Sequence, residues 1–303
     1  MVDVSRRATH EVRTRPQRPL VVAHRGASFD VAEHTLAAYT AAIESGVDAL
    51  ECDVRLSRDG HLVCVHDRRV DRTSDGRGLV SELDLAGLNN LDFSSWHDSS
   101  PDWPDTADHL LRDEPYLAGV APDRVPGGGV LTLERLLGLV RDASRPVRLL
   151  IETKHPTRYG GLVEKELVKM LARFGWAGRP GPASSIRRRP VEPTAGRATV
   201  MSFAPIALRR VRLLAPDVPT VLLVERRLPG RRDGSLPSGV GIAGPGLATL
   251  RADPGFVARA HAKGNAVYVW TVDEPADVRF VLDLGVDAVI TNRPADVLAQ
   301  LDS

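Results

Sequence analysis

Two carboxylates, Glu51 and Asp53, lie two positions apart in the apolar segment ALECDV. Side chains two apart on a strand face the same side, so the two negative charges would lie together, which is costly without a neutralising cation. An isolated pair would form ordinary ion pairs with Arg55 or Arg58. Glu152, which closes another apolar run, could instead add a third carboxylate and complete an all-oxygen site. Such a site suits Ca²⁺ or Mg²⁺ better than Zn²⁺, and the sequence therefore predicts a divalent metal.

Two histidines, His24 and His66, also follow apolar runs. A single histidine at a strand end is as often a hydrogen-bonded structural residue as a functional one. Here Arg25 follows His24 directly and offers a planar fork of donors that suits two phosphate oxygens, while Gly26 allows a ligand to approach the backbone. The combination favours a functional site that contacts a phosphate group.

Eight apolar runs alternate with segments of helical spacing, which is the pattern of a parallel sheet with crossover helices. We expect them to close into one (β/α)₈ TIM-type barrel, whose catalytic groups lie at the carboxyl ends of the strands. The runs are Leu20 to His24, Ala49 to Val54, Val147 to Glu152, Ala198 to Ser202, Thr220 to Val224, Val240 to Ala243, Ala266 to Thr271 and Ala288 to Thr291. Helices are expected at Thr35 to Ser45, Leu131 to Val140, Tyr159 to Phe174 and Pro275 to Leu284.

A ninth apolar run, Leu62 to His66, follows the second too closely for a crossover helix, which needs about a dozen residues. It must turn back directly, and Asp59-Gly60 is a strong signal for a two-residue hairpin loop. That loop would pair Arg58 with His61, Leu56 with Val63, and Asp53 with His66. Because residues opposite one another share a face, His66 would project beside Glu51 and Asp53.

The domain organisation is predicted from the segments that interrupt this rhythm. Residues 1–18 have no apolar stretch of a secretory signal and are expected to form a flexible tail. Residues 19–303 form the barrel domain, with an inserted subdomain at about 68–129, rich in Asp, Ser, Pro and Trp. A further loop at 178–196 is rich in Pro and Arg and is expected to be mobile.

The composition limits the possible partners. Hydrophobic residues make up 43% and charged residues 26%, and the formal net charge is +1. Such a charge gives no reason to expect nucleic acid or an anionic membrane, so a small molecule is the expected partner. The chain has only two cysteines and no run of roughly 18 apolar residues, so we expect a cytoplasmic protein without a transmembrane segment. No pattern indicates an oligomeric state.

Ten short motifs occur in order between residues 24 and 294: His24-Arg25-Gly26, Glu33-His34-Thr35, Glu51-Cys52-Asp53, His66-Asp67, Asp71-Arg72-Thr73, Thr132-Leu133-Glu134, Glu152-Thr153-Lys154, Ser202-Phe203, Trp270-Thr271-Val272 and Thr291-Asn292-Arg293-Pro294. In these motifs, which span nearly the whole chain, it resembles the glycerophosphodiester phosphodiesterases. Two positions depart from the family pattern: Glu-Asn-Thr reads Glu33-His34-Thr35, and the closing Thr-Asp reads Thr291-Asn292.

The resemblance implies a barrel with an insertion after its second strand region and a divalent metal, Ca²⁺ or Mg²⁺, on Glu51, Asp53 and Glu152. It implies acid–base work by His24 and His66. It further implies phosphate contacts by Arg25 and Lys154, and places Trp270 beside the glycerol or the leaving group. The implied substrate is a glycerophosphodiester, such as glycerophosphocholine or glycerophosphoethanolamine, cleaved to glycerol 3-phosphate and an alcohol.

The roles within this mechanism are only partly fixed. We assign His24 as the base and His66 as the acid. The nucleophile stays open between the hydroxyl of the substrate's own glycerol, giving a cyclic phosphate, and a water molecule held by the metal.

Two other functions are compatible with the motifs. A phospholipase-type phosphodiesterase would use Trp96, Trp103 and Tyr116 of the insertion as exposed membrane contacts, although such aromatics more often form a core. A binding barrel without turnover would normally lack a metal ligand or a histidine, and both sets are complete here.

Overall fold

The computed structural model describes residues 18–97, 128–155, 157, 159–178, 193, 196–225 and 233–303. Within them, eight parallel strands form a closed barrel, because β1 pairs both with β2 and with β9, the last strand. A ninth strand, β3, extends the sheet antiparallel to β2. The strands are β1 (Leu20–Ala23), β2 (Ala49–Leu56), β3 (Leu62–Cys64), β4 (Arg148–Thr153), β5 (Ala198–Ser202), β6 (Thr220–Val224), β7 (Ile242–Pro245), β8 (Ala266–Val269) and β9 (Ala288–Thr291). The predicted barrel is confirmed.

Helices connect most of the barrel strands, and within the described residues none lies between β6 and β7. Their bounds follow local signals: the Thr35 side chain accepts a hydrogen bond from the Ala38 amide at the start of α1, and Gly285 ends α8 in the left-handed conformation. The helices are α1 (Leu36–Glu44), α2 (Leu85–Asn89), α3 (Leu133–Asp142), α4 (Leu162–Arg173), α5 (Pro205–Leu214), α6 (Leu247–Ala252), α7 (Phe256–Ala262), α8 (Pro275–Leu284) and α9 (Pro294–Leu301). None of these helices has the length and apolar character needed to cross a membrane.

Alternate residues of each barrel strand face opposite sides. One side packs inside the barrel, with Val22, Ala49, Leu150, Met201, Tyr268 and Ile290 in one apolar cluster. The other side packs outward against the helices, with Val21, Leu50, Leu149 and Val289 in a second cluster. This alternation determines which side chains reach the mouth of the barrel.

The hairpin between β2 and β3 forms, but its predicted register is wrong by one residue. The loop has three residues, since the Ser57 amide donates to the His61 carbonyl. A two-residue type I′ loop needs positive φ at both central residues, and only Gly60 has it, at +86°. Ser57 Oγ and the Leu85 amide donate to the Asp59 carboxylate and hold that residue in its conformation. The observed pairs are Val54 with Cys64, Arg55 with Val63 and Leu56 with Leu62.

The register change removes the predicted cross-strand pair of Asp53 and His66. The Asp53 carbonyl accepts instead from the Val65 amide, and β3 ends at Cys64, two residues before His66. The chain turns away after the strand, with the His66 carbonyl held by the Arg55 guanidinium. Burial lowers the pKa of His66, but the residue still lies close enough to Asp53 for the charge of that carboxylate to oppose the shift.

Part of the predicted insertion lies within the described residues. A short 3₁₀ helix (Val80–Glu82) and α2 close a small apolar cluster of Val63, Val65, Val70, Val80, Leu88, Phe93 and Val130. Residues 98–127, nearly all of the tail and most of the 178–196 loop lie outside the described residues. The division into tail, barrel and inserted subdomain therefore stays a prediction.

Candidate active site

Side chains that continue the inward-facing positions of the strands lie together at the carboxyl ends of the barrel strands. His24 lies two residues after the inward-facing Val22 of β1, and Glu51 and Asp53 follow Ala49 of β2 in the same way. The series continues on three further strands, with Glu152 near the end of β4 and Lys154 directly after it, Trp270 after β8 and Asn292 after β9. The mouth of the barrel is therefore lined by polar groups above an apolar interior.

The three predicted metal ligands lie together. Glu51, Asp53 and Glu152 each place an oxygen within 4.8 Å of the other two, and all three are buried. Lys154 Nζ lies 2.9 Å from Asp53 Oδ1 and 3.0 Å from Glu152 Oε2, while Arg25 Nε lies 3.1 Å from Asp53 Oδ2. Three carboxylates facing two cations leave one excess negative charge.

The carboxylates respond differently to this excess. Burial and the neighbouring Asp53 raise the pKa of Glu51 well above its ordinary value. Burial likewise raises the pKa of Glu152 to about 7, although Lys154 opposes the shift. For Asp53, burial is outweighed by Lys154 and Arg25, which hold its pKa well below the usual range. Protons therefore occupy part of the cluster in the protein alone, a condition that a bound cation would relieve.

The loop between β1 and α1 holds Arg25 in place. Arg25 and His34 both adopt φ of +58°, and the His34 amide donates to the Arg25 carbonyl at 3.0 Å. Gly26, at φ +90°, approaches α1 so closely that a Cβ would lie 2.7 Å from the backbone of Ala38. Left-handed backbone at non-glycine residues is uncommon and persists where surrounding contacts enforce it. The Arg25 amide points at Glu51 Oε2, 3.1 Å away.

His34, a departure from the family pattern, contacts the carboxylate cluster. Its Nε2 lies 2.9 Å from Asp53 Oδ2, and its Nδ1 lies 2.8 Å from the hydroxyl of Tyr39. The Tyr39 hydroxyl donates in turn to the Glu51 carbonyl at 3.1 Å. Tyr39 Oη therefore accepts from Nδ1, and His34 presents Nδ1–H to it. The ring of His34 therefore links the Asp53 carboxylate to the hydroxyl of Tyr39.

His66 is held by a chain of charged groups. Its Nδ1 lies 2.7 Å from Asp67 Oδ1, and Arg72 Nε donates to Asp67 Oδ2 at 2.7 Å. Arg72 also donates to both oxygens of Glu33, which pairs with Arg25. Burial is the main cause that lowers the pKa of His66 to about 4, with the nearby cations Arg25 and Lys154 adding to it. The negative charges of Asp53 and Asp67 oppose this shift.

Glu33 keeps its charge despite its burial. Although burial would raise the pKa of Glu33, Arg72 and Arg25 hold it well below its ordinary value. The chain of charges from Arg25 through Glu33 and Arg72 to Asp67 therefore stays ionised, and it ends at His66.

His24 has a different partner. Its Nδ1 lies 2.7 Å from Asn292 Oδ1, and its Nε2 lies 4.0 Å from Glu51 Oε2. The residue is 7% exposed, so it borders the mouth beside the carboxylates.

Trp270 and Phe203 form an aromatic edge on another side of the mouth. Their ring centroids are 5.5 Å apart at an interplanar angle of 90°, and Trp270 Nε1 donates to the Gly244 carbonyl at 2.7 Å. Phe203 is 41% exposed. The pair offers an apolar surface beside an otherwise charged site.

The structure thus brings the predicted residues to one end of the barrel. Sequence reasoning names Asp67, Arg72, Glu33 and Asn292 only as motif members and gives Asp273 no role. The signal that would place Asn292 at the mouth is its position two residues after Ile290, which faces the inside of the barrel.

Comparison with known proteins gives consistent matches. The model of the glycerophosphoryl diester phosphodiesterase family matches residues 24–296. A Mycobacterium tuberculosis protein named "Probable glycerophosphodiester phosphodiesterase 1" is 46% identical over 287 residues, covering 94% of this chain and 93% of that protein. A Bacillus subtilis glycerophosphodiester phosphodiesterase is 33% identical over 284 residues, covering 92% of this chain and 85% of that one.

Solved structures share the fold. An Oleispira antarctica phosphodiesterase, in complex with the product sn-glycerol-3-phosphate, superposes with a TM-score of 0.70 at 22% identity, covering 94% of this chain and 98% of that one. A glycerophosphodiester phosphodiesterase from Agrobacterium tumefaciens gives a TM-score of 0.65 at 23% identity, covering 93% and 99%.

Proposed function

Because the chain belongs to the glycerophosphoryl diester phosphodiesterase family and is an enzyme of that type, we propose that it hydrolyses glycerophosphodiesters, such as glycerophosphocholine or glycerophosphoethanolamine, to glycerol 3-phosphate and an alcohol. The observation that carries this proposal is the arrangement at the barrel mouth. Three buried carboxylates, two cations and two histidines lie together there. These are the groups that charge neutralisation and two proton transfers at a phosphodiester require.

A divalent metal fits the residues present. Glu51, Asp53 and Glu152 supply hard oxygen donors within 4.8 Å of one another, and their excess negative charge contributes to the raised pKa of Glu51 and Glu152. This donor set favours Ca²⁺ or Mg²⁺. When bound, the ion would supply Lewis-acid stabilisation of the phosphate charge. With the ion bound and all three carboxylates ionised, Arg25 and Lys154 would leave the local charge at one positive, which suits a phosphodiester monoanion.

The chain's own residues complete the site. Arg25 and Lys154, which flank Asp53 on two sides, would hold the phosphate oxygens. His24 presents Nε2 toward Glu51 and would accept the proton of the nucleophile, while His66 would donate one to the leaving alkoxide.

The protonation of His66 depends on the substrate. At neutral pH its lowered pKa leaves the ring without the proton that an acid needs. The negative charge of the phosphodiester would offset Arg25 and Lys154 and favour the charged ring. Beside this charged part of the site, Trp270 and Phe203 would contact the glycerol or the leaving group.

A phospholipase-type function has less support. Trp96 donates to the Phe93 carbonyl at 3.1 Å and stacks with Arg72, whose Cζ lies 5.7 Å from the centre of the ring. It is therefore engaged within the protein, whereas Trp103 and Tyr116 lie outside the described residues. A cytoplasmic location and the lack of a nucleic-acid partner stay predictions.

The test is a substrate panel with the purified chain, followed by phosphorus NMR and an enzymatic determination of glycerol 3-phosphate. We expect hydrolysis of glycerophosphocholine or glycerophosphoethanolamine with Ca²⁺ or Mg²⁺, loss of hydrolysis in EDTA, and little reaction with phosphatidylcholine vesicles. Cleavage of the vesicles alone would favour the phospholipase function. Tight binding of the panel without product would favour a non-catalytic barrel.

A further inference from the structure

Asp273 and Asn292 form a hydrogen-bonded pair behind His24. Asp273 follows β8 and Asn292 follows β9. Asp273 Oδ1 accepts hydrogen bonds from the backbone N–H of Asn292 at 2.7 Å and from Thr291 Oγ1 at 2.9 Å. Asp273 Oδ2 accepts from Asn292 Nδ2, also at 2.7 Å. The Asn292 side chain is thus tied to Asp273 on one side and to His24 on the other.

The orientation of the Asn292 side-chain amide follows from the chemistry of its partners. An ionised carboxylate only accepts hydrogen bonds, so the NH₂ group must face Asp273 and the amide oxygen must face His24. The Ser28 hydroxyl supports this orientation, since it lies 2.8 Å from Asn292 Oδ1 and 2.7 Å from the His24 carbonyl and can donate to either oxygen. Asn292 therefore offers only an acceptor to His24.

The acceptor determines the tautomer of His24. A hydrogen bond of 2.7 Å to an amide oxygen requires a hydrogen on His24 Nδ1. The neutral ring then keeps its lone pair on Nε2, the nitrogen 4.0 Å from Glu51 Oε2 at the barrel mouth. The other tautomer would direct an N–H into the mouth and leave His24 without a basic nitrogen there.

From these contacts we propose that Asn292, oriented by Asp273, is a positioning residue that fixes His24 in the tautomer with a basic Nε2. The proposal rests on the proposed function for its catalytic consequence, but the tautomer itself can be measured without substrate or metal. His66 differs, because its Nδ1 contacts a carboxylate, Asp67, directly. Of the two histidines, His24 alone depends on a neutral amide, which could face either way without Asp273.

Because the orientation of the Asn292 amide depends on Asp273, we expect Asp273→Asn to change the tautomer of His24. The amide introduced at position 273 would keep its oxygen on the backbone amide of Asn292 and on Thr291 Oγ1, and would turn its NH₂ group toward the Asn292 side chain. The Asn292 amide would then rotate and present its own NH₂ group to His24, which selects the tautomer with hydrogen on Nε2. A base in the wrong tautomer lowers kcat by about 10² or more with KM unchanged.

The reciprocal exchange D273N/N292D should reverse this effect. The amide introduced at position 273 would donate to the carboxylate introduced at position 292, and that carboxylate would accept the hydrogen of His24 Nδ1. We expect the exchange to regain the wild-type tautomer and most of the turnover. Asp142→Asn, at an exposed surface position, is the matched control and should change neither.

The experiment is nitrogen NMR of the metal-free protein with ¹⁵N-labelled histidine, above the pH at which His24 loses its charge, together with kcat and KM of each variant. The His24→Gln variant assigns the resonances. We expect the hydrogen of the neutral His24 ring on Nδ1 in the wild type and in D273N/N292D. In Asp273→Asn we expect it on Nε2. Should Asp273→Asn not fold, Asn292→Ala should lose the preference for Nδ1–H. An unchanged His24 tautomer in the folded variant would overturn the proposal, whatever the activity.

Discussion

The guanidinium of Arg72 donates hydrogen bonds to both carboxylate oxygens of Glu33, over 3.0 and 2.7 Å. The pair joins the β1–α1 loop to the segment after β3, and both side chains are mostly buried. The same guanidinium holds Asp67, the partner of His66. One ion pair therefore ties the loop that carries Arg25 to the segment that carries His66.

Arg72→Gln should destabilise the fold because it leaves the buried carboxylates of Glu33 and Asp67 without their common partner. Breaking a buried pair on one side typically costs about 3 kcal/mol or more. Urea unfolding measures this loss. Arg69→Gln is the control, since Arg69 pairs with Asp71 at an exposed position and should cost under about 1 kcal/mol. Equal urea midpoints for both variants would show that the buried ion pair contributes no more to stability than the exposed one.

The depressed pKa of His66 predicts a pH dependence of stability. Its pKa is about 4 in the folded protein, against about 6.5 in an unfolded chain. Between these values the unfolded chain binds more protons, so this histidine makes the free energy of unfolding rise with pH. In EDTA, His66→Gln should therefore lose less stability than the wild type as the pH falls from about 6.5 to about 4. Parallel curves for wild type and His66→Gln would contradict the shifted pKa.

Metal binding should release protons near neutral pH. Since the pKa of Glu152 is raised to about 7 and that of Glu51 is raised as well, a cation must displace protons from them when it binds. The affinity for Ca²⁺ or Mg²⁺ should rise with pH through about 7. Calorimetry in buffers of different ionisation enthalpy would detect the released protons, and affinity independent of pH would argue against this exchange.

The same calorimetry tests the ligand set. Glu51→Gln, Asp53→Asn and Glu152→Gln should each weaken the affinity because each replaces a charged ligand by a neutral one. Glu134→Gln, at an exposed surface position, is the control. Wild-type affinity in all three site variants would place the metal elsewhere.

The barrel and most of its mouth follow from the sequence for one physical reason. Inward and outward residues alternate along each strand, so a polar residue in phase with a buried inward position must emerge at the strand's end. His24 lies an even number of residues after the inward-facing Val22. The same relation holds for Asp53 after Ala49 and for Glu152 after Leu150. Residues far apart in the sequence can therefore lie close together, because all the parallel strands end at the same rim of the barrel.

Other features depend on contacts that no local pattern encodes. Asp59-Gly60 fits a two-residue loop, yet the bonds from Ser57 and Leu85 to Asp59 select a three-residue loop and shift the register. The orientation of the Asn292 amide likewise depends on Asp273, a residue of the preceding strand's end. Both features are decided by hydrogen-bond partners that only the folded chain brings together.

The most direct test of the proposed mechanism is the turnover number of His24→Ala and His66→Ala on a glycerophosphodiester, with the exposed His61→Ala as control. Each site variant deletes a proton-transfer partner, so kcat should fall by about 10² or more while the fold, checked by circular dichroism, stays intact. His61→Ala should keep the wild-type rate. Wild-type turnover in a folded His24→Ala or His66→Ala protein would contradict acid–base catalysis by the two histidines.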